Sequence, residues 1–216
     1  MDDRLCCIFG AGDYDGAPVP MGESPFLIAA DGGWAHMERL GLTPHLLVGD
    51  FDSLDRVPDG VEILRHPVRK DDTDMALAVD EGLRRGHGRF YLYGGLGGRL
   101  DHTMANLQLL CRLSKQRGRG FLLSRDTAVT ALTNGGLRFP PGYAGHLSVF
   151  AVGGRAEGVT LTGLEYPLTG AALTDDVPLG VSNAFTAGAA RIRVERGTLL
   201  VMWTPSFSLP MPVHSP

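Results

Sequence analysis

The chain has 216 residues, 44% hydrophobic and 20% charged, with a formal net charge of −4. That length buries a core in one large domain or two small ones, and the acidic balance gives no basic field for wrapping nucleic acid. No apolar stretch approaches the roughly 20 residues of a membrane helix, and the start, Met1-Asp2-Asp3-Arg4, is not the basic head of a signal peptide. Three cysteines, with Cys6 and Cys7 adjacent in an apolar run, make no disulfide framework. A soluble cytoplasmic protein with buried thiols is expected, engaging neither nucleic acid nor membrane.

In chain order, residues 5–9 read as a buried strand ending at the turn Gly10-Ala11-Gly12. A dinucleotide fingerprint is not met, because its third glycine falls one position late at Gly16 and Pro18 and Pro20 stand where a helix would follow. Residues 26–30 form a second strand ending at Asp31-Gly32-Gly33, and a helix is predicted over about 34–40 with Gly41 as its cap. Alone, Asp31 is explained as a helix N-cap. Residues 46–48 form a third strand that runs into Gly49-Asp50-Phe51-Asp52-Ser53. After a weaker strand at 62–64, Asp72-Thr73-Asp74 opens a helix to about Arg85, with Met75, Val79 and Leu83 as its apolar stripe. A strand at 90–93 leads through Gly94-Gly95-Leu96-Gly97-Gly98 into a helix over about 102–116, with Met104, Leu107 and Cys111 on one face, and a strand follows at 120–123.

Strands alternating with helices predict an α/β domain, Rossmann-like, with a largely parallel sheet. From about Thr127 the helical period gives way to short β-type runs separated by turn signals such as Asn134-Gly135 and Pro140-Pro141-Gly142, the pattern of an all-β sandwich or barrel. The expected division is residues 1–130 as a catalytic domain, 131–205 as a β domain and 206–216 as an extended or disordered tail.

Acids recur after separate strands: Asp31; Asp50 and Asp52; Asp71, Asp72 and Asp74; Asp101. In an open parallel sheet those turns share the carboxyl edge, where ligands bind. Asp50 and Asp52 lie two apart, so both side chains can face one crevice, and a divalent cation removes their mutual repulsion. Magnesium takes one or two protein carboxylates and fills its shell with phosphate oxygens and water. The glycines at 94–98, before a helix N-terminus, let backbone N–H groups approach a polyphosphate, and Arg99 is placed to neutralise it. No Walker A loop occurs. Each residue also has a plain structural reading: Asp72, Thr73 or Asp101 as caps, Lys70 and Arg99 as solvated cations, Ser182-Asn183 as a turn. Trp203 reads as core or edge strand.

Four segments in this order resemble the thiamin pyrophosphokinase family: Asp31-Gly32-Gly33, Gly49-Asp50-Phe51-Asp52-Ser53, Asp71-Asp72-Thr73-Asp74, and Gly94-Gly95-Leu96-Gly97-Gly98-Arg99-Leu100-Asp101-His102. Gly163-Leu164-Glu165-Tyr166-Pro167-Leu168 and Gly180-Val181-Ser182-Asn183 extend the resemblance into the second half. The resemblance implies an α/β catalytic domain and a β-sandwich domain in a homodimer. It implies transfer of the pyrophosphoryl group of ATP to the thiamin hydroxyl, giving thiamin diphosphate and AMP. It makes Asp50, Asp52 and Asp74 the magnesium ligands, with Asp101 and Arg99 beside them in catalysis. The nucleotide side takes in Asp31, Gly32, Lys70, Asp71, Thr73, Gly97, Arg99 and His102, and Ser182 and Asn183 are the thiamin contacts. Either Asp74 or Asp101 could accept the hydroxyl proton. A pyrophosphokinase for another hydroxyalkyl heterocycle, such as a pterin, shares the metal and ATP turns. A non-catalytic thiamin or nucleotide sensor predicts binding without AMP release.

Overall fold

The computed structural model describes residues 2–49, 60–65 and 72–215. The chain divides into two compact units, Met1–Leu109 with Gly120–Ser124, and Leu110–Arg119 with Arg125–Pro216.

The first unit is built from β1 (Asp2–Phe9), β2 (Phe26–Ala30), α1 (Gly33–Arg39), β3 (Leu46–Gly49), β4 (Glu62–Arg65), α2 (Asp74–Arg84), β5 (His87–Tyr93), most of α3 (Leu100–Lys115) and β6 (Arg119–Leu123). Its strands lie in the order β6-β5-β1-β2-β3-β4. The pairs β5–β1, β1–β2, β2–β3 and β3–β4 are parallel. Cys6, Cys7, Ile8 and Phe9 are fully buried, as suits a central strand covered on both faces. Burial pushes both thiols well above their ordinary range, so they are packing groups rather than nucleophiles.

Helix positions follow from local chemistry. The Thr73 hydroxyl caps α2, accepting from the Ala76 N–H at 3.2 Å, and Met75, Ala76, Ala78 and Val79 are buried. Asp31 does not cap α1: the cap is Gly32, with no side-chain bond, and Asp31 itself has φ 47. Gly33 opens α1 where a Cβ would lie 1.9 Å from the Phe9 carbonyl oxygen, so only glycine lets that helix start against β1. Of the face expected for α3, Cys111 is buried and Leu107 half-buried, but Met104 is not. Met104 is 51% exposed, whereas Asn106, Leu109, Leu110 and Leu113 are buried.

The second unit holds β7 (Ala128–Thr133), β8 (Gly136–Phe139), β9 (His146–Ala151), β10 (Ala156–Thr162), β11 (Leu168–Leu173), β12 (Asn183–Ala184), β13 (Ala190–Arg193), β14 (Thr198–Trp203) and β15 (Val213–Ser215). Two antiparallel arrays result, β12-β9-β14-β7 and β11-β10-β13-β8-β15. Their side chains meet in an aromatic cluster: the Phe139 ring stands edge-on to Trp203 at 5.3 Å and to Tyr143 and Phe185 at 5.1 and 5.0 Å. Trp203 is buried in this core. Within the proline-bearing tail, β15 pairs with β8, and the Tyr143 hydroxyl donates to the Pro210 carbonyl at 3.1 Å. No helix is long and apolar enough to cross a membrane among the described residues.

Candidate active site

Chain order in the first sheet reverses at β1. The chain steps outward through β2, β3 and β4, and β5 then returns to β1's other side. Loops leaving the carboxyl ends of β1 and β5 therefore separate beyond their first residues and leave a crevice. A cavity of about 460 Å³ lies there, lined by Gly10, Ala11 and Gly12 after β1, Ala30 and Asp31 after β2, Thr73 to Met75 at the start of α2, and Gly94, Gly95, Gly97, Arg99, His102 and Asn106 around β5 and α3. Six residues expected at the site thus share one wall: Asp31, Thr73, Asp74, Gly97, Arg99 and His102. Asp50, Asp52, Lys70 and Asp71 lie outside the described residues. Gly49, which precedes Asp50, packs against Asp31, where a Cβ would sit 3.2 Å from the Asp31 Cα.

The floor is backbone. The Gly10 N–H donates to Tyr93 O at 2.9 Å and the Gly12 N–H to Gly94 O at 3.0 Å, tying the two loops together. Gly94 has φ 64, and a Cβ there would lie 2.6 Å from Gly10 O, so any side chain would part the loops. Two polar side chains that sequence reasoning missed hold this floor. Buried Asn106 donates from Nδ2 to Gly95 O at 2.9 Å. His36 Nε2 lies 2.7 Å from Gly12 O. A carbonyl only accepts, so Nε2 carries the proton, and Nδ1 accepts from the Arg39 guanidinium. The spacing His36–Arg39 is the one sequence signal for this brace, since i and i+3 share a helix face.

Charge is arranged unevenly around the cavity. Asp31 Oδ1 is buried with no hydrogen-bond partner among the described residues. A bare carboxylate oxygen in that position calls for a cation or donor. Arg99 instead grips Asp101, Nε to Oδ1 at 3.1 Å and Nη2 to Oδ2 at 2.6 Å. The Arg99 bonds, aided by the His102 backbone N–H, hold the Asp101 carboxyl down at about 2. Both side chains are well exposed, so this pair is easily exchanged for another partner. Asp101 and Gly32 are not on the cavity wall.

Ser182 and Asn183 belong to the second unit. Ser182 is exposed, has φ 61, and its N–H donates to Ser148 Oγ at 3.1 Å. Asn183 is buried. Its Nδ2 donates to Tyr166 O at 2.7 Å, and its Oδ1 accepts from the N–H groups of Tyr166 and Ala184, both at 2.9 Å. The amide therefore clamps the Tyr166 backbone, and the Tyr166 side chain stays largely exposed.

Comparison with known proteins places these features in a family. Residues 21–122 match the family model described as thiamin pyrophosphokinase, catalytic domain, and residues 137–199 match thiamin pyrophosphokinase, vitamin B1 binding domain. A thiamine pyrophosphokinase of Bacillus subtilis (strain 168) is 26% identical over 194 residues, covering 83% of this chain and 87% of the relative. The crystal structure of thiamine pyrophosphokinase from Bacillus subtilis superposes with a TM-score of 0.83 at 22% identity, over 94% of this chain and 100% of that one. A thiamin pyrophosphokinase family protein from Enterococcus faecalis gives 0.81 at 27% identity, over 94% and 99%.

Proposed function

The chain belongs to the thiamin pyrophosphokinase family, and from that premise we propose that it transfers the pyrophosphoryl group of ATP to the hydroxyl of thiamin, releasing AMP. The observation that carries the reading is the cavity at the reversal of strand order, where Asp31, Asp74 and Arg99 share a wall with the glycine loops. The first unit is read as Rossmann-like and the second as a β-sandwich, divided near residue 130.

In the reaction the thiamin oxygen attacks the β-phosphorus. The new O–P bond forms as the bond from the β-phosphorus to the bridging oxygen breaks, and that oxygen leaves with AMP. Gly97 and Gly98, at φ 80 and 58, precede the N-terminus of α3 and offer backbone N–H groups to the polyphosphate. Arg99 is assigned to the phosphates. Leaving Asp101 costs it little at an exposed site. The Asp101 carboxylate, freed of its guanidinium, regains ordinary basicity and accepts the hydroxyl proton. Binding of ATP and readiness of the base are thereby coupled through one side chain. Lys70, Asp71, Thr73 and His102 are assigned to the nucleotide, with Gly32 shaping the turn after β2.

Asp50, Asp52 and Asp74 are assigned to Mg²⁺. The fit is supported by hard oxygen donors at the cavity: Asp74 on its wall and the Oδ1 of Asp31, which has no partner among the described residues. When bound, the ion offsets charge on the phosphate oxygens. Ser182 contacts thiamin, and Asn183 supports that contact through the Tyr166 backbone. Val177, Leu179 and Val181, exposed beside Ser182, are read as part of a homodimer surface. Sedimentation at monomer mass across working concentrations would remove that element.

The deciding assay incubates the protein with ATP, magnesium and thiamin and separates nucleotides from thiamin esters. AMP and thiamin diphosphate in equal amounts are expected. ADP with thiamin monophosphate would overturn attack at the β-phosphorus. Absence of any thiamin ester from folded, metal-loaded protein would overturn the acceptor.

A further inference from the structure

A second cavity, of about 580 Å³, lies wholly within the second unit and shares no residue with the first. Its walls come from the end of α3 and the turn into β6, from the turn between β7 and β8, and from β15. Among the described residues that line it, three are cations, Lys115, Arg117 and Arg119, and none is a carboxylate. Among the described residues neither Lys115 nor Arg117 has an ion-pair partner. We propose that this cavity is an anion site that takes a small phosphate-bearing molecule, with Lys115, Arg117 and Arg119 as its charge.

Backbone conformation points the same way. Arg117 ends α3 at φ 65, the left-handed conformation that favours glycine at this position. The Gly118 N–H donates to Leu113 O at 2.9 Å and the Arg117 N–H to Ser114 O at 3.0 Å, the bond pattern of a glycine-type helix stop. An arginine held there is strained by about 1 kcal/mol, and that strain places one more cation on the cavity. The negative end of the α3 dipole opposes an anion, but it amounts to roughly half a charge against the cations Lys115 and Arg117, and these bonds occupy the Leu113 and Ser114 carbonyls.

The third wall carries a half-buried imidazole. His214, on β15, lines the cavity with its Nε2 3.3 Å from Thr130 Oγ1. Burial first, and then the charge of Arg119, hold the imidazole down at about 4, against a hydrogen bond to the Ala131 carbonyl that raises it. The cavity's size suits a ligand between a diphosphate and a nucleotide. A single phosphate, a diphosphate and a nucleotide share the recognised chemistry, and affinity ranks them.

The test follows the His214 ring resonances by NMR in the full chain, assigned with His214→Gln, while pyrophosphate is added. This readout is local to the second cavity and does not depend on the pyrophosphokinase reading, because turnover plays no part in it. Saturable shifts are expected, with half-saturation weakened at least about tenfold in Lys115→Gln/Arg117→Gly, as the loss of two charge contacts predicts. Arg117→Gly relieves the strained conformation, so the variant keeps or raises its melting temperature and retains wild-type turnover. Inorganic phosphate, AMP and thiamin diphosphate, added in turn, identify the source: an equal response to all marks a phosphate site, and a preference marks the fitting ester. A His214 ring indifferent to pyrophosphate up to millimolar concentration, or a double variant that responds as the wild type does, overturns the proposal.

Discussion

Asp31 combines two features that are each unfavourable on their own. Its backbone has φ 47 and its Oδ1 is buried without a partner among the described residues. Asparagine tolerates the left-handed region and has the same shape, so Asp31→Asn separates charge from structure. Its melting temperature should hold or rise, because the negative charge on a partly buried carboxylate is removed while the shape is kept. Its kcat should fall about a hundredfold or more, on the scale of losing one electrostatic contact to the reacting phosphates. Asp52→Asn should do the same if the two turns serve one ion. Wild-type turnover from folded Asp31→Asn, at every magnesium concentration, would take Asp31 out of the site. Asp101 and Asp31 show how the same side chain divides by setting. The first is exposed and held at about 2 by Arg99, the second half-buried with one buried oxygen that has no partner among the described residues.

Elements that end in the site were legible where an apolar run meets a turn. β1, β2, β3 and β5 carry buried runs broken by Gly10, Asp31, Gly49 and Gly94, and α2 announces itself by Thr73 and the Met75–Val79 spacing. On α3 the apolar spacing places Cys111 inward correctly and Met104 wrongly, because the inward residue Asn106 is polar and is buried on a hydrogen bond to a carbonyl of another loop. β8, β11, β12 and β15 carry no comparable signal in the sequence, for related reasons. β12 has two residues, β15 lies beyond Pro210 and Pro212, and β11 is exposed along most of its length. Short or solvated strands carry no periodicity, and only their partners define them. Asn183 shows the same limit, since a residue expected at the substrate spends its whole amide on Tyr166 and Ala184. Asn183→Ala should therefore destabilise the second unit by about 1–3 kcal/mol and raise KM for thiamin more than it lowers kcat. Unchanged stability with a pure KM effect would return Asn183 to direct contact.

At the scale of the whole molecule, the second unit closes late in the chain, and His214 is where acid should reach it. β15 pairs with β8 in one array, and His214 Nε2 lies near Thr130 and Ala131 of β7 in the other, so this side chain joins the two arrays. Its folded-state value of about 4 lies below the ordinary histidine value of 6.5. The sign follows from proton counting. Above pH 6.5 the imidazole is neutral in both folded and unfolded chains, and the stabilising contribution is fully present. Between 6.5 and about 4 only the unfolded chain takes the proton, so stability falls as pH falls. Below about 4 both states are charged and this contribution is flat. The loss across that window is on the order of 3 kcal/mol at most. Glu81, held at about 2 by Arg84 and then Arg85, gives way lower still, as pH drops from the ordinary carboxylate range toward 2. The two are therefore separable. Denaturant unfolding of the wild type between pH 7 and 4 should show a loss of stability that His214→Gln largely abolishes, while the further loss below pH 4 persists in both. Parallel curves for the two proteins across pH 7 to 4 would mean that the imidazole titrates freely and that β15 is not held through it.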